Sequence, residues 1–151
     1  MNLHPDFGAF MDALVHQNVE FVIVGSFALA MHGRPRATGD IDFWIRPTRE
    51  NARSLIRAVD EFGFGFMKIT EDDIVSGKII QMGVPPVRID LITVLDGLTT
   101  EEIRSGKVAG DLGGHKVFFL GKDAYVRNKR AVGRPKDLGD LELLGVLRRQ
   151  H

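Results

Sequence analysis

Along this chain of 151 residues, apolar and polar positions follow two rhythms, one helical and one extended. The switches between them predict the elements. Phe7, Phe10, Met11, Leu14 and Val15 recur at helical spacing, so residues 5–17 read as an amphipathic helix packed on a sheet. Phe21-Val22-Ile23-Val24 is short and β-branched, as a buried strand is. Gly25-Ser26 breaks that run, and Phe27-Ala28-Leu29-Ala30-Met31-His32 predicts a short helix, which Gly33 and Pro35 stop. Asp40-Ile41-Asp42-Phe43-Trp44-Ile45 alternates again, as a second strand. Thr48 then serves as the N-cap of a helix with the stripe Ala52, Leu55, Ile56, Val59 and Phe62, ended by Gly63.

Residues 64–69 and 78–83 are expected to be short strands on either side of Glu71-Asp72-Asp73, three acids that suit a helix start. Beyond Pro85-Pro86 the chain alternates, with Val87, Ile89 and Leu91 on one face and Arg88 and Asp90 on the other. Thr99 and Glu102 fit a capping box that opens a helix to about residue 105. Gly113-Gly114 separates segments 108–112 and 115–120, which suits a β-hairpin. The chain turns helical again from Gly121, and Leu138, Leu141, Leu144 and Leu147 mark a last helix over 137–149. The expected architecture is one α/β (α+β) domain over residues 1–151, a mixed β-sheet flanked by helices with further helices at the C-terminal end.

Composition narrows the function classes. Hydrophobic residues at 44% and charged residues at 26% are ordinary for a globular domain of this length. Neither a secretory apolar segment nor a run long enough to span a bilayer is present, so no membrane partner is expected. The absence of cysteine excludes disulfides and thiolate metal sites and fits a cytoplasmic location. A formal net charge of zero argues against a global field that recruits nucleic acid. The Walker A, Rossmann glycine and His-Glu-x-x-His patterns are missing. The histidines have no ligand spacing, and His32 suits a helix end better than catalysis.

The candidate chemistry lies between residues 21 and 45. Asp40 and Asp42 share one face of their strand, with Cα atoms roughly 6.5 Å apart. Two acids so close repel each other unless a cation lies between them, and a pair of Mg²⁺ (or Mn²⁺) ions fits that need. Neutralising either Asp42 or a third acid of the same site is then expected to hold or raise the stability of the metal-free protein. The Gly25-Ser26 turn opens a helix, where free N–H groups favour phosphate. Asp90 stands on a largely apolar strand, with Arg88 as its simplest partner. Trp44 continues the Asp40–Asp42 alternation but suits the core. Arg49, Arg53 and Arg57 read as a solvated helix face. The most basic stretch is 127–136, where Arg127, Lys129, Arg130, Arg134 and Lys136 crowd together.

Taken in this order, Gly25-Ser26, Asp40-Ile41-Asp42 and a strand-borne Asp90 resemble the nucleotidyltransferase superfamily of the DNA polymerase β type. Arg36-x-Thr38 and the run from Gly133 to Leu138 are similar to small prokaryotic members, including the abortive-infection nucleotidyltransferases of toxin–antitoxin pairs. The resemblance implies an enzyme that moves a nucleoside monophosphate from a nucleoside triphosphate (NTP) to an acceptor hydroxyl or RNA end. Asp40 and Asp42 would hold the metal that carries the phosphates. Asp40, Asp42 and Asp90 would hold a second metal at the acceptor, with Asp90 a candidate for taking its proton. Gly25, Ser26, Lys129 and Asp137 would bind the nucleotide. The acceptor stays open among a small molecule, a protein and RNA, and a toxin–antitoxin partner protein is also implied. The alternative is a non-catalytic nucleotide-sensing or antitoxin-like partner that keeps the fold. No extended C-terminal helical domain follows, which argues against a tRNA-like acceptor.

Overall fold

In the computed structural model, which describes residues 3–33, 39–84 and 86–145, six strands form one mixed sheet. They are β1 (Phe21–Val24), β2 (Asp40–Ile45), β3 (Ile80–Val84), β4 (Val87–Ile92), β5 (Val108–Leu112) and β6 (His115–Phe119), in the order β3-β4-β2-β1-β6-β5. The central strand β2 runs antiparallel to β1, with Val24 opposite Asp42, and parallel to β4, with Asp42 opposite Asp90. That register matters most for function, because it sets all the acids expected to act together on two adjacent strands. β6 lies parallel to β1 and antiparallel to β5, so the Gly113-Gly114 hairpin forms one edge of the sheet.

Alternation along the strands sorts side chains to two faces. Ile41, Phe43 and Ile45 of β2 and Ile89 and Leu91 of β4 enter one core. Three helices supply the other side of that core: α1 (Pro5–His16), α3 (Arg49–Glu61) and α4 (Glu71–Val75). On the opposite face Val22, Val24 and Trp44 pack with residues of α2 (Gly25–Met31), α5 (Thr100–Gly106) and α6 (Lys122–Val132). A last helix, α7 (Pro135–Leu143), packs on α6. Phe10, Phe43 and Trp44 are fully buried, and each such side chain contributes about 1.5–3 kcal/mol of transfer free energy.

Several local expectations change. Residues 64–69 form no strand: Gly65–Met67 is a 3-10 turn. Gly63 (φ 97°) and Lys68 (φ 52°) both take the left-handed region, which interrupts an extended run, and the Phe62 and Phe64 rings stack at 5.1 Å instead. Val15 is 54% exposed, because it lies off the stripe that Phe7, Phe10, Met11 and Leu14 present to the sheet. The last helix starts at Pro135, whose missing N–H costs nothing at the first helical position, and Leu138 points outward while Leu141 is buried. Pro35, Arg36, Thr38, Pro85, Leu147 and Arg149 lie outside the described residues.

The arginine stripe of α3 and the acids of α4 explain each other. Arg49 donates to Asp72 (2.8 Å) and Arg53 to Glu71 (3.3 Å), while Thr70 and Asp73 close a capping box around the start of α4. These exposed pairs contribute at most about 1 kcal/mol each, so they orient α4 more than they hold it. Among the described residues no helix is long and apolar enough to cross a membrane.

Candidate active site

Asp40, Asp42, Arg88 and Asp90 converge where β2 and β4 run side by side, on the α2 face of the sheet. Alternation puts Asp40 and Asp42 on one face of β2 and Arg88 and Asp90 on the same face of β4. The parallel register then sets Asp40 opposite Arg88 and Asp42 opposite Asp90. Val24 flanks Asp42 from the other side, and the chain turns into α2 directly afterwards. Gly25 takes φ 68° there, and a Cβ added to it would lie 2.1 Å from Asp42 Oδ2. Only glycine lets the turn backbone approach the carboxylate so closely. Ser26 follows, partly exposed, as the second residue of α2.

Arg88 is a cation set among these acids. Its Nε donates to Asp90 Oδ1 at 2.9 Å and a terminal nitrogen to Asp90 Oδ2 at 3.1 Å. That same nitrogen reaches Asp40 Oδ2 at 3.2 Å. Asp90 is nearly buried, and its bidentate pairing supplies what an ionised acid on an apolar strand needs. Among the described residues no arginine pairs with Asp42 in this way. Burial first, then the charge and hydrogen bond of Asp90 and the charge of Asp40, raise its carboxyl to about 7, with Lys129 pulling the other way. The Asp42 and Asp90 carboxyls thus lie within hydrogen-bonding reach of each other.

Lys129, on α6, is the member of the basic run that turns inward. Its side chain is 13% exposed, Nζ bonds Asp137 Oδ1 at 3.2 Å, and the ammonium stands 5.4 Å from the Tyr125 ring centre. Asp137 is fully buried at the start of α7. Burial alone would push its carboxyl up, but hydrogen bonds from Arg134 and Lys129 outweigh that and hold it below the ordinary value. Arg134 Nε reaches Asp137 Oδ2 at 2.7 Å. The rest of the run diverges: Arg127 pairs with Glu102, Asn128 donates to the Asp96 carbonyl at 3.0 Å, and Arg130 and Lys136 are exposed. The run is therefore not one basic surface.

Trp44 is fully buried and donates from Nε1 to the Thr93 carbonyl at 3.1 Å, so it belongs to the core. His32 Nε2 donates to the Leu120 carbonyl at 2.8 Å and fastens the end of α2 to the β6–α6 junction. The reach of Arg88 to Asp40 is what sequence reasoning missed. Position 88 shares a face with Asp90, but only the β2–β4 register brings it to Asp40.

The donor set suits a hard cation, since carboxylate oxygens without thiol or imidazole favour Mg²⁺ or Mn²⁺. Among the described residues, however, no group of three or more acids or histidines is gathered closely enough to hold a metal ion as it stands. Arg88 bonds both Asp40 and Asp90, and the acidic neighbours that, after burial, raise the Asp42 carboxyl are what a divalent cation would neutralise.

Solved structures share this fold over nearly the whole chain. A candidate nucleotidyltransferase from Thermotoga maritima matches with a TM-score of 0.57 at 14% identity, covering 90% of this chain and 88% of its own. The lincosamide antibiotic adenylyltransferase LnuA, with lincomycin bound, matches at 0.58 and 11% identity, covering 97% and 100%. The complex of ANT(2'')-Ia with adenylyl-2''-tobramycin matches at 0.57 and 15% identity, covering 91% and 84%. The chain has the nucleotidyltransferase fold. No protein-family model matches it, and no curated protein sequence matches it significantly.

Proposed function

We propose that this protein is a metal-dependent nucleotidyltransferase that moves a nucleoside monophosphate from an NTP to an acceptor hydroxyl. The observation that carries the reading is the convergence of Asp40, Asp42 and Asp90 against the Gly25 turn, with the Asp42 carboxyl raised by burial and then by its acidic neighbours. Gly25 and Ser26 bind phosphate oxygens through backbone N–H groups and the Ser26 hydroxyl. Lys129, held at the site by Asp137, attracts the triphosphate. Asp90 accepts the proton as the acceptor oxygen attacks the α-phosphorus and the bond to pyrophosphate breaks. Mg²⁺ or Mn²⁺ held by Asp40, Asp42 and Asp90 would neutralise the phosphates and lower the acceptor's pKa.

A hydroxylated small molecule is the favoured acceptor, because LnuA is a lincosamide antibiotic adenylyltransferase and ANT(2'')-Ia is seen in complex with adenylyl-2''-tobramycin. The deciding assay incubates the protein with each α-labelled NTP, Mg²⁺ and either a panel of hydroxylated small molecules or a cell extract. Label in a small molecule, with pyrophosphate released and Asp42→Asn inert, is the expected result. Label in a protein instead would favour the toxin-like reading, and label in RNA an RNA-end acceptor. No labelled product with any nucleotide would refute transfer.

The second reading, a non-catalytic nucleotide-binding partner, draws on one observation. Arg88 already satisfies Asp40 and Asp90, as an internal ion pair would in a protein that has no use for metal. Nucleotide binding without turnover in the same assay would favour it.

A further inference from the structure

The Arg88 guanidinium bonds two of the three acids that would hold a cation at this site. It takes both oxygens of Asp90 and one of Asp40, acids from two different strands. A bridge serving only to satisfy Asp90 needs no second acid. We propose that Arg88 is a resident counter-cation of the acid cluster, holding Asp40 and Asp90 in the metal-free protein and releasing them when a divalent ion binds. This rests on the metal-site reading above and deepens it: metal affinity is set by competition with a side chain of the same strand.

The geometry makes the exchange feasible in three respects. Guanidinium donors and a hard cation seek the same carboxylate lone pairs, so both cannot keep full coordination to Asp40 and Asp90. Arg88 is about a quarter exposed, with a side-chain exposure of 26%, so it can leave toward solvent without opening either core. The Lys129 ammonium bonds Asp137 at 3.2 Å, so it keeps its place beside the acids when Arg88 leaves. The arrangement also solves a folding problem. Stacked carboxylates repel until a metal arrives, and Arg88 neutralises part of that charge during folding.

The test compares the parent with Arg88→Met, which keeps an apolar stem without the charge, and Arg88→Lys, which keeps the charge but loses the two-pronged geometry. Two quantities are read: thermal unfolding without metal, and Mn²⁺ affinity from the free-ion electron paramagnetic resonance signal. Arg88→Met should melt below the parent without metal yet bind Mn²⁺ on the order of tenfold more tightly, with Arg88→Lys between them. A purely structural bridge predicts lower stability with equal or weaker Mn²⁺ binding, and that result overturns the competition while leaving the metal site intact. If Arg88→Met does not fold, Arg88→Lys decides alone: tighter Mn²⁺ binding than the parent supports the proposal, and equal or weaker binding overturns it. Mn²⁺ binding by none of the folded proteins overturns the metal-site reading itself, and the proposal with it.

Discussion

Asp42→Asn gives the sharpest test of how the acid cluster is balanced. In the folded protein the Asp42 carboxyl titrates near 7, raised first by burial and then by Asp90 and Asp40. In the unfolded chain it titrates near 3.8. Below both values the group is protonated in either state and contributes nothing. Between them the folded state holds a proton that the unfolded state has lost, so stability falls steadily as pH rises. Above about 7 the full cost is present. A displacement of about three pH units corresponds to about 4 kcal/mol, but Asp42 is only half-buried and water screens part of the repulsion. A cost of about 1–3 kcal/mol remains, equivalent to about 2–12 °C in Tm for a chain of this length. Asparagine keeps the shape and removes the charge. Metal-free Asp42→Asn should therefore melt above the parent at about pH 8, and the gain should vanish near pH 4. Scanning calorimetry with a chelator present, over a series of pH values, measures this. A gain independent of pH, or a loss at about pH 8, would show that Asp42 is not strained by its neighbours. Asp90 should behave in the opposite way to the sequence-based expectation, because its neutralisation breaks the bidentate pair with Arg88.

Three further outcomes are expected. Asp137→Asn removes a fully buried carboxylate that holds Lys129 and Arg134, and should cost about 2–4 kcal/mol in urea unfolding near neutral pH. Because that carboxyl is held below its ordinary value, the difference from the parent should close as pH falls through the carboxylate range; a difference that persists in acid would refute the ion-pair account. Gly25→Ala forces a side chain into the left-handed region and against Asp42, so it should cost about 1–2 kcal/mol and weaken Mn²⁺ binding; unchanged values of both would refute the close approach. Trp44 emission should not respond to saturating NTP, since the indole is buried and bonded to Thr93; quenching on titration would move it to the nucleotide site.

Much of the fold was legible in the periodicity. The β1–α2–β2 unit, the hairpin around Gly113-Gly114 and the capped starts at Thr48 and Thr99 are set by neighbours a few residues apart, and they match the structure. The segment 64–69 misled because Phe64 and Phe66 alternate like a strand while glycines at 63 and 65 permit a tight turn. Nothing local says that no strand partner awaits them, since β3 pairs only with β4. Val15 misled for a related reason: helical spacing identifies a stripe but not its width.

The same division runs through the candidate site. By itself the sequence determined that Asp40 and Asp42 share a face, that Arg88 and Asp90 share another, and that a glycine turn precedes them, because strand alternation is a property of the local backbone. Tertiary structure alone decided that those two faces are one. The parallel register of β2 and β4 is a contact across 48 residues, fixed by which apolar side chains meet in the core, and it brings Arg88 to Asp40 and Asp42 to Asp90. It likewise set Lys129 and Arg134 on the buried Asp137 carboxylate and Arg127 on Glu102, because a run of charge in sequence says nothing about which cation meets a buried acid.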